Sequence, residues 1–313
     1  MKIEKIVQYD LKYTNAMNMS VRYVLLSCAL LAAFSTKALA VDVSPADYTA
    51  LPAGTTAVLW YQQHGQASQF NTDDGPSYRN DTRLKSDLSI LRIVHFTDIA
   101  GIRIDPQILL PYGHIYDAKI GGQSLGSARG MGDPLVGATV WLVNQPNAGV
   151  SGRYVGITPV VTVPVGSYDR NRSINVGGHR WAGDVQIGWI EPLWGKLAME
   201  WFGDVYVYGN NSEAGTGSQT LKQNASYQIQ TDLRYDFNSR QRLAIGFSSS
   251  GGGKQYLDGV YTGQKTEVQQ IRLEGQQMIT ARTQIALQLT HDTQVVGGFK
   301  NNLAINLRGL ILF

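Results

Sequence analysis

Proton transfer near neutral pH falls most readily to histidine, and the chain has five: His64, His95, His114, His179 and His291. None has a serine at lipase-type spacing, and no G-x-S-x-G elbow occurs. His291-Asp292 has the makings of a base and its orienting carboxylate, or equally of a solvated surface dyad. Carboxylates and histidines nowhere cluster at metal-ligand spacing, so neither a metal nor another cofactor is expected. Gly121-Gly122 and Gly251-Gly252-Gly253 lack the helix and lysine of a phosphate loop and read as flexible loops. No catalytic residue is assigned, and an enzyme is not expected.

A second set of charges is more informative. Asp184, Glu200, Asp204, Asp232, Arg234, Arg272, Glu274 and Arg308 all lie in segments that alternate polar with apolar residues, on the polar phase. The clearest segment places Tyr227, Ile229, Thr231, Leu233, Tyr235 and Phe237 against Gln228, Gln230, Asp232, Arg234 and Asp236. Ile271 and Leu273, then Ile285, Leu287 and Leu289, repeat the pattern. The last segment sets Leu303, Ile305, Leu307, Gly309, Ile311 and Phe313 opposite Asn306 and Arg308. Successive side chains of a strand point to opposite faces, so period two marks a strand with one face of each kind.

Twelve such segments are expected, at about 55–63, 85–97, 100–111, 132–143, 152–164, 181–191, 196–208, 221–237, 241–250, 265–278, 282–292 and 301–313. Odd-numbered connections are longer and rich in Gly, Asn, Ser and Asp, among them Gly65–Thr82, Tyr112–Met131, Gly166–Arg180 and Gly209–Thr220. Tight turns such as Thr97–Ile99, Asn238–Arg240 and Ile279–Ala281 fill most of the others. Strands of roughly 9–11 residues suit a tilted crossing of a bilayer. In lipid every backbone N–H and C=O must be paired, so such a sheet has to close on itself. The expected fold is therefore all-β: a single closed antiparallel transmembrane β-barrel of about twelve strands. Its apolar face meets lipid, its polar face the lumen, and the long loops lie outside the cell. Trp60, Tyr61, Trp141, Trp189, Trp194, Trp201 and Tyr235 sit toward strand ends, as interfacial girdles do. A soluble β-sandwich with these aromatics as its core is the competing fold.

The N-terminus supports export. Lys2, Lys5, Lys12 and Arg22 precede an apolar run from Tyr23 to Phe34, and Ala38-Leu39-Ala40 follows. That is the plan of a secretory signal peptide, and its apolar run is too short to span a bilayer as a helix. Residues 1–40 are expected to be removed, leaving 41–313 as the barrel, and Met17 or Met19 could be the true start. Leu26-Ser27-Cys28 loosely resembles a lipoprotein site, but the run stays apolar beyond it. Cys28 is the single cysteine, so the rest of the chain can form neither a disulfide nor a thiolate metal site. Of 27 basic and 24 acidic residues, five and two fall in 1–40, which leaves 22 of each. A neutral mature chain gives no reason to expect a nucleic-acid partner.

Gly130-Met131-Gly132-Asp133-Pro134 opens one segment, and Pro164-Val165-Gly166-Ser167-Tyr168-Asp169 and Gly177-Gly178-His179-Arg180-Trp181 follow. This order resembles the outer-membrane family named for the MetA pathway of phenol degradation. The resemblance implies a channel or transporter for small, aromatic or apolar compounds. The residues themselves suggest loop ordering: Asp169, Arg170, Arg172 and Arg180, with Asp184, could pair to fold the third outer loop over the barrel mouth.

Together these features lead us to expect a passive channel in the outer membrane of a Gram-negative bacterium. Its expected partners are outer-membrane lipid, the barrel-assembly machinery (which would read the terminal Phe313) and a small organic solute. The inward charges could confer selectivity or form an ion-pair lattice that fills a narrow lumen. A lipid- or lipopolysaccharide-modifying barrel enzyme and a structural barrel with a blocked lumen are the alternatives.

Overall fold

A computed structural model describes residues 42–73, 75–265 and 267–313; the expected signal peptide, residues 1–40, lies outside them. The chain forms a closed antiparallel barrel of twelve strands: β1 (Thr56–Asn71), β2 (Arg83–His95), β3 (Ile102–Ile120), β4 (Leu135–Gln145), β5 (Arg153–Thr162), β6 (Ala182–Pro192), β7 (Leu197–Tyr208), β8 (Ser226–Asp236), β9 (Gln241–Gly252), β10 (Glu267–Met278), β11 (Thr283–Val296) and β12 (Gly298–Leu312). Neighbours in sequence are neighbours in the sheet. Closure comes from β12 on β1, paired from Ala57 opposite Leu312 to Asn71 opposite Gly298 with register shifts on either side of Ala67. Phe313 completes the seam, exchanging backbone hydrogen bonds with Thr56 at 2.9 and 3.1 Å.

Alternation sets the two faces. In β8, Tyr227, Ile229, Leu233 and Tyr235 are exposed on the outside, while Gln228, Gln230, Asp232 and Arg234 are buried inside. Trp60, Trp189, Trp194, Trp201 and Tyr235 face outward as expected of a girdle. Tyr61 and Trp141 do not. Tyr61 follows Trp60 by one residue and so takes the opposite face, and the Trp141 indole donates to Asp105 Oδ2 at 2.8 Å inside the barrel.

The outer ends depart from the expected segments. β1 and β3 run on through residues expected to be loop, and Gln123–Met131 returns along β3 as a hairpin strand. Beyond the membrane the polarity of these extensions inverts. Ala67, Phe70, Leu84, Ala118, Ile120, Leu125, Ala128 and Phe299 point inward and make an apolar cluster of their own. An apolar-outward pattern cannot reveal such residues. The segment 221–237 is likewise broken at Asn224-Ala225, because Gln219–Gln223 joins a separate four-stranded outer sheet with Asn211–Ala214, Gln255–Leu257 and Val260–Tyr261. The eleventh connection is not long: only Gly297, at φ 73°, separates β11 from β12.

Candidate functional site

The lumen is not empty. Before β1 the chain passes through the interior of the barrel from Asp42 to Leu51, held by side chains of the wall and by no strand pairing. Val43 N donates to Gln230 Oε1 at 3.1 Å and Ala46 N to Glu200 Oε2 at 2.8 Å. The carbonyls of Val43 and Pro45 accept from Arg272 Nη1 at 3.2 Å and Gln276 Nε2 at 2.7 Å. Asp42 Oδ1 accepts from both Gln228 and Gln230 at 2.8 Å. Backbone amides that strand pairing would normally satisfy are thus satisfied by the polar lumen face.

Tyr48 anchors the segment. Its hydroxyl lies 2.6 Å from Thr158 Oγ1 and donates to Gln186 Oε1 at 2.8 Å. Its ring packs on Gly188, where a Cβ would stand 2.2 Å from Tyr48 Cδ1, and beside Gly156, the residue paired with Gly188 across β5 and β6. The two glycines leave a slot in the wall that any side chain at 188 would fill. Around it Val43, Ala50, Leu59, Val94, Phe96, Trp141, Tyr154, Ile190 and Phe202 form the apolar core of the inner half.

Most of the expected lumen charges meet one another. Arg234 pairs with Glu200 and, at 3.2 Å, with Asp236, which Arg242 also approaches at 3.1 Å. Arg272 Nη2 lies 2.8 Å from Asp232 Oδ2. Arg308 reaches Glu274 at 3.5 Å and pairs with Asp47 of the lumen segment, which also meets Arg92 at 3.3 Å. Buried ions need such partners, since desolvation is otherwise uncompensated. Asp184 and Asp204 are different: among the described residues neither forms an ion pair. The lumen segment leaves two cavities. The outer is lined by Asp42, Asp184, Gln186 and Tyr206 on one side and by Leu109, Leu135 and Val160 on another. The inner lies against Leu51, Ala57, Phe96, Trp141, Arg242 and Leu310.

Over the mouth lies the connection of residues 163–181. The residue that gathers it is Asp133, just before β4. Its Oδ1 accepts from Gly166 N at 2.8 Å and its Oδ2 from Gly178 N at 2.7 Å, so all three sequence motifs meet at one carboxylate. Gly166 leaves no room for a side chain, as a Cβ there would lie 2.6 Å from Gly132 C. Asp169 accepts from Asn171 N at 2.9 Å and pairs with Arg172 at 3.3 Å, within the loop. Arg170 donates to Ser218 Oγ at 3.0 Å, and Arg180 is buried, donating to Gln223 with its Cζ 4.8 Å from the Tyr208 ring centroid. These residues do not pair with Asp184.

His291 and Asp292 point to opposite faces of β11. His291 Nδ1 lies against the carbonyl of Asn302 at 2.5 Å, while Asp292 accepts from Gln270 and Asn301 inside. Among the described residues no group of three His, Cys, Asp or Glu could hold a metal ion.

Sequence reasoning missed the lumen segment and Asp133. Residues 42–54 have no period to read, and their partners lie in distant strands. Asp133 stood in a quoted motif, but its partners are backbone amides, which a sequence does not display.

No curated protein matches the chain. Among solved structures it is similar to the COG4313 outer membrane channel from Pseudomonas putida F1, with 31% identity and a TM-score of 0.81 over 87% of this chain and 100% of that one. It is less similar to the β domain of the Bordetella autotransporter BrkA, with 9% identity and a TM-score of 0.48 over 82% of this chain and 100% of that one. A family profile described as "Putative MetA-pathway of phenol degradation" matches residues 63–308. The chain therefore belongs to that family and is a twelve-stranded β-barrel of the Gram-negative outer membrane.

Proposed function

We propose that this barrel is a passive channel for small aromatic or apolar compounds, closed at rest by its own segment Asp42–Leu51. The observation that carries this reading is how that segment is held. It is fixed by hydrogen bonds and ion pairs to side chains, with a cavity on either side, so it can shift without unzipping the barrel. The solute enters the outer cavity beneath the Asp133-bound loop, along the wall of Leu109, Leu135 and Val160. From there it passes inward when the segment moves, or leaves sideways. A solved relative at 31% identity is an outer membrane channel, and the family description refers to phenol degradation.

Export with removal of residues 1–40, assembly through the machinery that recognises Phe313, and contact with outer-membrane lipid belong to the same proposal. So does a role in selectivity for Asp184, Glu200, Asp204, Asp232, Arg234, Arg272, Glu274 and Arg308. The test is uptake of radiolabelled phenol and toluene by cells with and without the gene. Saturable uptake that disappears with the gene is expected; equal uptake by both strains would remove the channel reading.

A further inference from the structure

The inner cavity of the lumen measures about 250 Å³ and has two unlike sides. Leu59, Phe96, Trp141 and Leu310 come from the arc of wall that runs from β12 through β1 to β4. Across from them stand Ser239, in the turn before β9, and Arg242, at its periplasmic start. Five charged residues line the space, and four of them are already engaged. Asp47 is shared between Arg92, at 3.3 Å, and Arg308. Asp105 accepts from the Trp141 indole at 2.8 Å and from Thr139 N at 3.2 Å. Arg242 is the exception. Its Nε lies 3.1 Å from Asp236, and among the described residues its guanidinium makes no hydrogen bond. Its side chain is 32% exposed against 4% for Arg308, so this charge faces space that a solute can enter.

A guanidinium presents parallel N–H donors that match the two oxygens of a carboxylate. The aromatic and aliphatic wall opposite favours a ligand whose remainder is apolar, and disfavours a small, strongly hydrated anion such as phosphate. A cavity of roughly 150 Å³ is enough to hold benzene. The inner cavity, at about 250 Å³, therefore accommodates one ring with its acid group. We propose that it binds a small aromatic carboxylate, with the acid group on Arg242 and the Ser239 hydroxyl and the ring against Phe96, Trp141 and Leu310. That assignment rests on the channel reading for an aromatic solute, to which it adds charge and place; binding itself needs no transport.

Calorimetry on the full mature barrel in a neutral detergent tests it, with benzoate as probe and benzyl alcohol, hexanoate and inorganic phosphate as controls. Saturable binding of benzoate is expected, roughly tenfold or more tighter than that of benzyl alcohol, the scale of a charged hydrogen bond. Hexanoate should bind more weakly than benzoate, and phosphate not at all. Arg242→Gln should reduce benzoate to the level of benzyl alcohol and leave benzyl alcohol unchanged, a selective loss that a general change of fold would not give. Arg242→Lys keeps the charge without the fork and should fall between. Heat-modifiable gel mobility confirms that each variant is folded. No benzoate binding to the wild type, or equal benzoate binding by wild type and Arg242→Gln, overturns the proposal. Hexanoate or phosphate as the tighter ligand overturns the aromatic assignment. Solute uptake is read separately in cells: binding without uptake removes the channel reading and leaves this one standing, and uptake without benzoate binding does the reverse.

Discussion

The hydroxyl oxygens of Tyr48 and Thr158 lie 2.6 Å apart, although 110 residues separate them in sequence. One belongs to the segment inside the barrel and the other to the wall, so this contact measures whether the segment is seated. Tyr48→Phe deletes it together with the bond to Gln186, at a cost of about 1–3 kcal/mol to seating. Hydrogen exchange at the Ala46 amide, which is bonded to Glu200, should quicken while exchange in β8 and β10 stays unchanged. Unchanged exchange at Ala46 would show that Tyr48 is no anchor.

Arg272 ties the segment to the wall by bonding both the Val43 carbonyl and Asp232. Arg272→Met strands Asp232 as a buried charge and should destabilise the barrel by about 3–5 kcal/mol. Adding Asp232→Leu removes that stranded charge and should recover most of the loss. Urea unfolding in detergent across the four-variant cycle reads both effects. An additive cycle would mean that the pair does not interact.

Asp133 holds the mouth loop through two backbone amides, Gly166 N and Gly178 N. Asp133→Ala should open residues 163–181 to limited proteolysis without loss of the barrel. Gly166→Ala should do the same for a steric reason, since its methyl has no room beside Gly132. Protease resistance equal to wild type in both would place the anchor elsewhere.

Two other outer loops are tied by Lys265, which lies 2.8 Å from Asp73. Burial pushes the Asp73 carboxyl up, but hydrogen bonds from Lys265 and Tyr261 outweigh it and hold the group below the usual carboxylate range. Lys265, bonded to Asp73 and Glu267, is raised to about 12. The lowered acid stabilises the tie above its unfolded value and loses that contribution only as pH falls through its folded value. The raised base contributes below its unfolded value and loses this as pH rises toward 12. Cleavage within residues 253–265 by added protease should therefore stay slow from pH 5 to pH 10. In Asp73→Asn it should be faster throughout that window; equal rates would exclude the tie.

The strands were legible because lipid enforces a simple rule. Ile229 and Gln230 differ by one residue and face opposite solvents, and the same parity, applied strictly, turns Tyr61 inward from Trp60. The rule stops at the membrane edge, where Phe70 and Ile120 point into the barrel as an ordinary core. It also says nothing about the segment from Asp42 to Leu51, which has no period and whose partners, such as Gln230 and Arg272, come from distant strands. The lumen charges could be placed on a face from sequence. Which of them pair, and that among the described residues Asp184 and Asp204 do not, depends on strand register and on Asp47 arriving from elsewhere.

Closure by the segment is tested most directly by planar-bilayer conductance of the refolded barrel and of Gly188→Val. The valine fills the slot that holds the Tyr48 ring, where even a single Cβ would lie 2.2 Å from Cδ1. Displacing Tyr48 should unseat residues 42–51 and raise single-channel conductance several-fold over a small wild-type value, toward that of a variant lacking the segment. Identical conductance in wild type, Gly188→Val and the segment deletion would contradict closure by the segment.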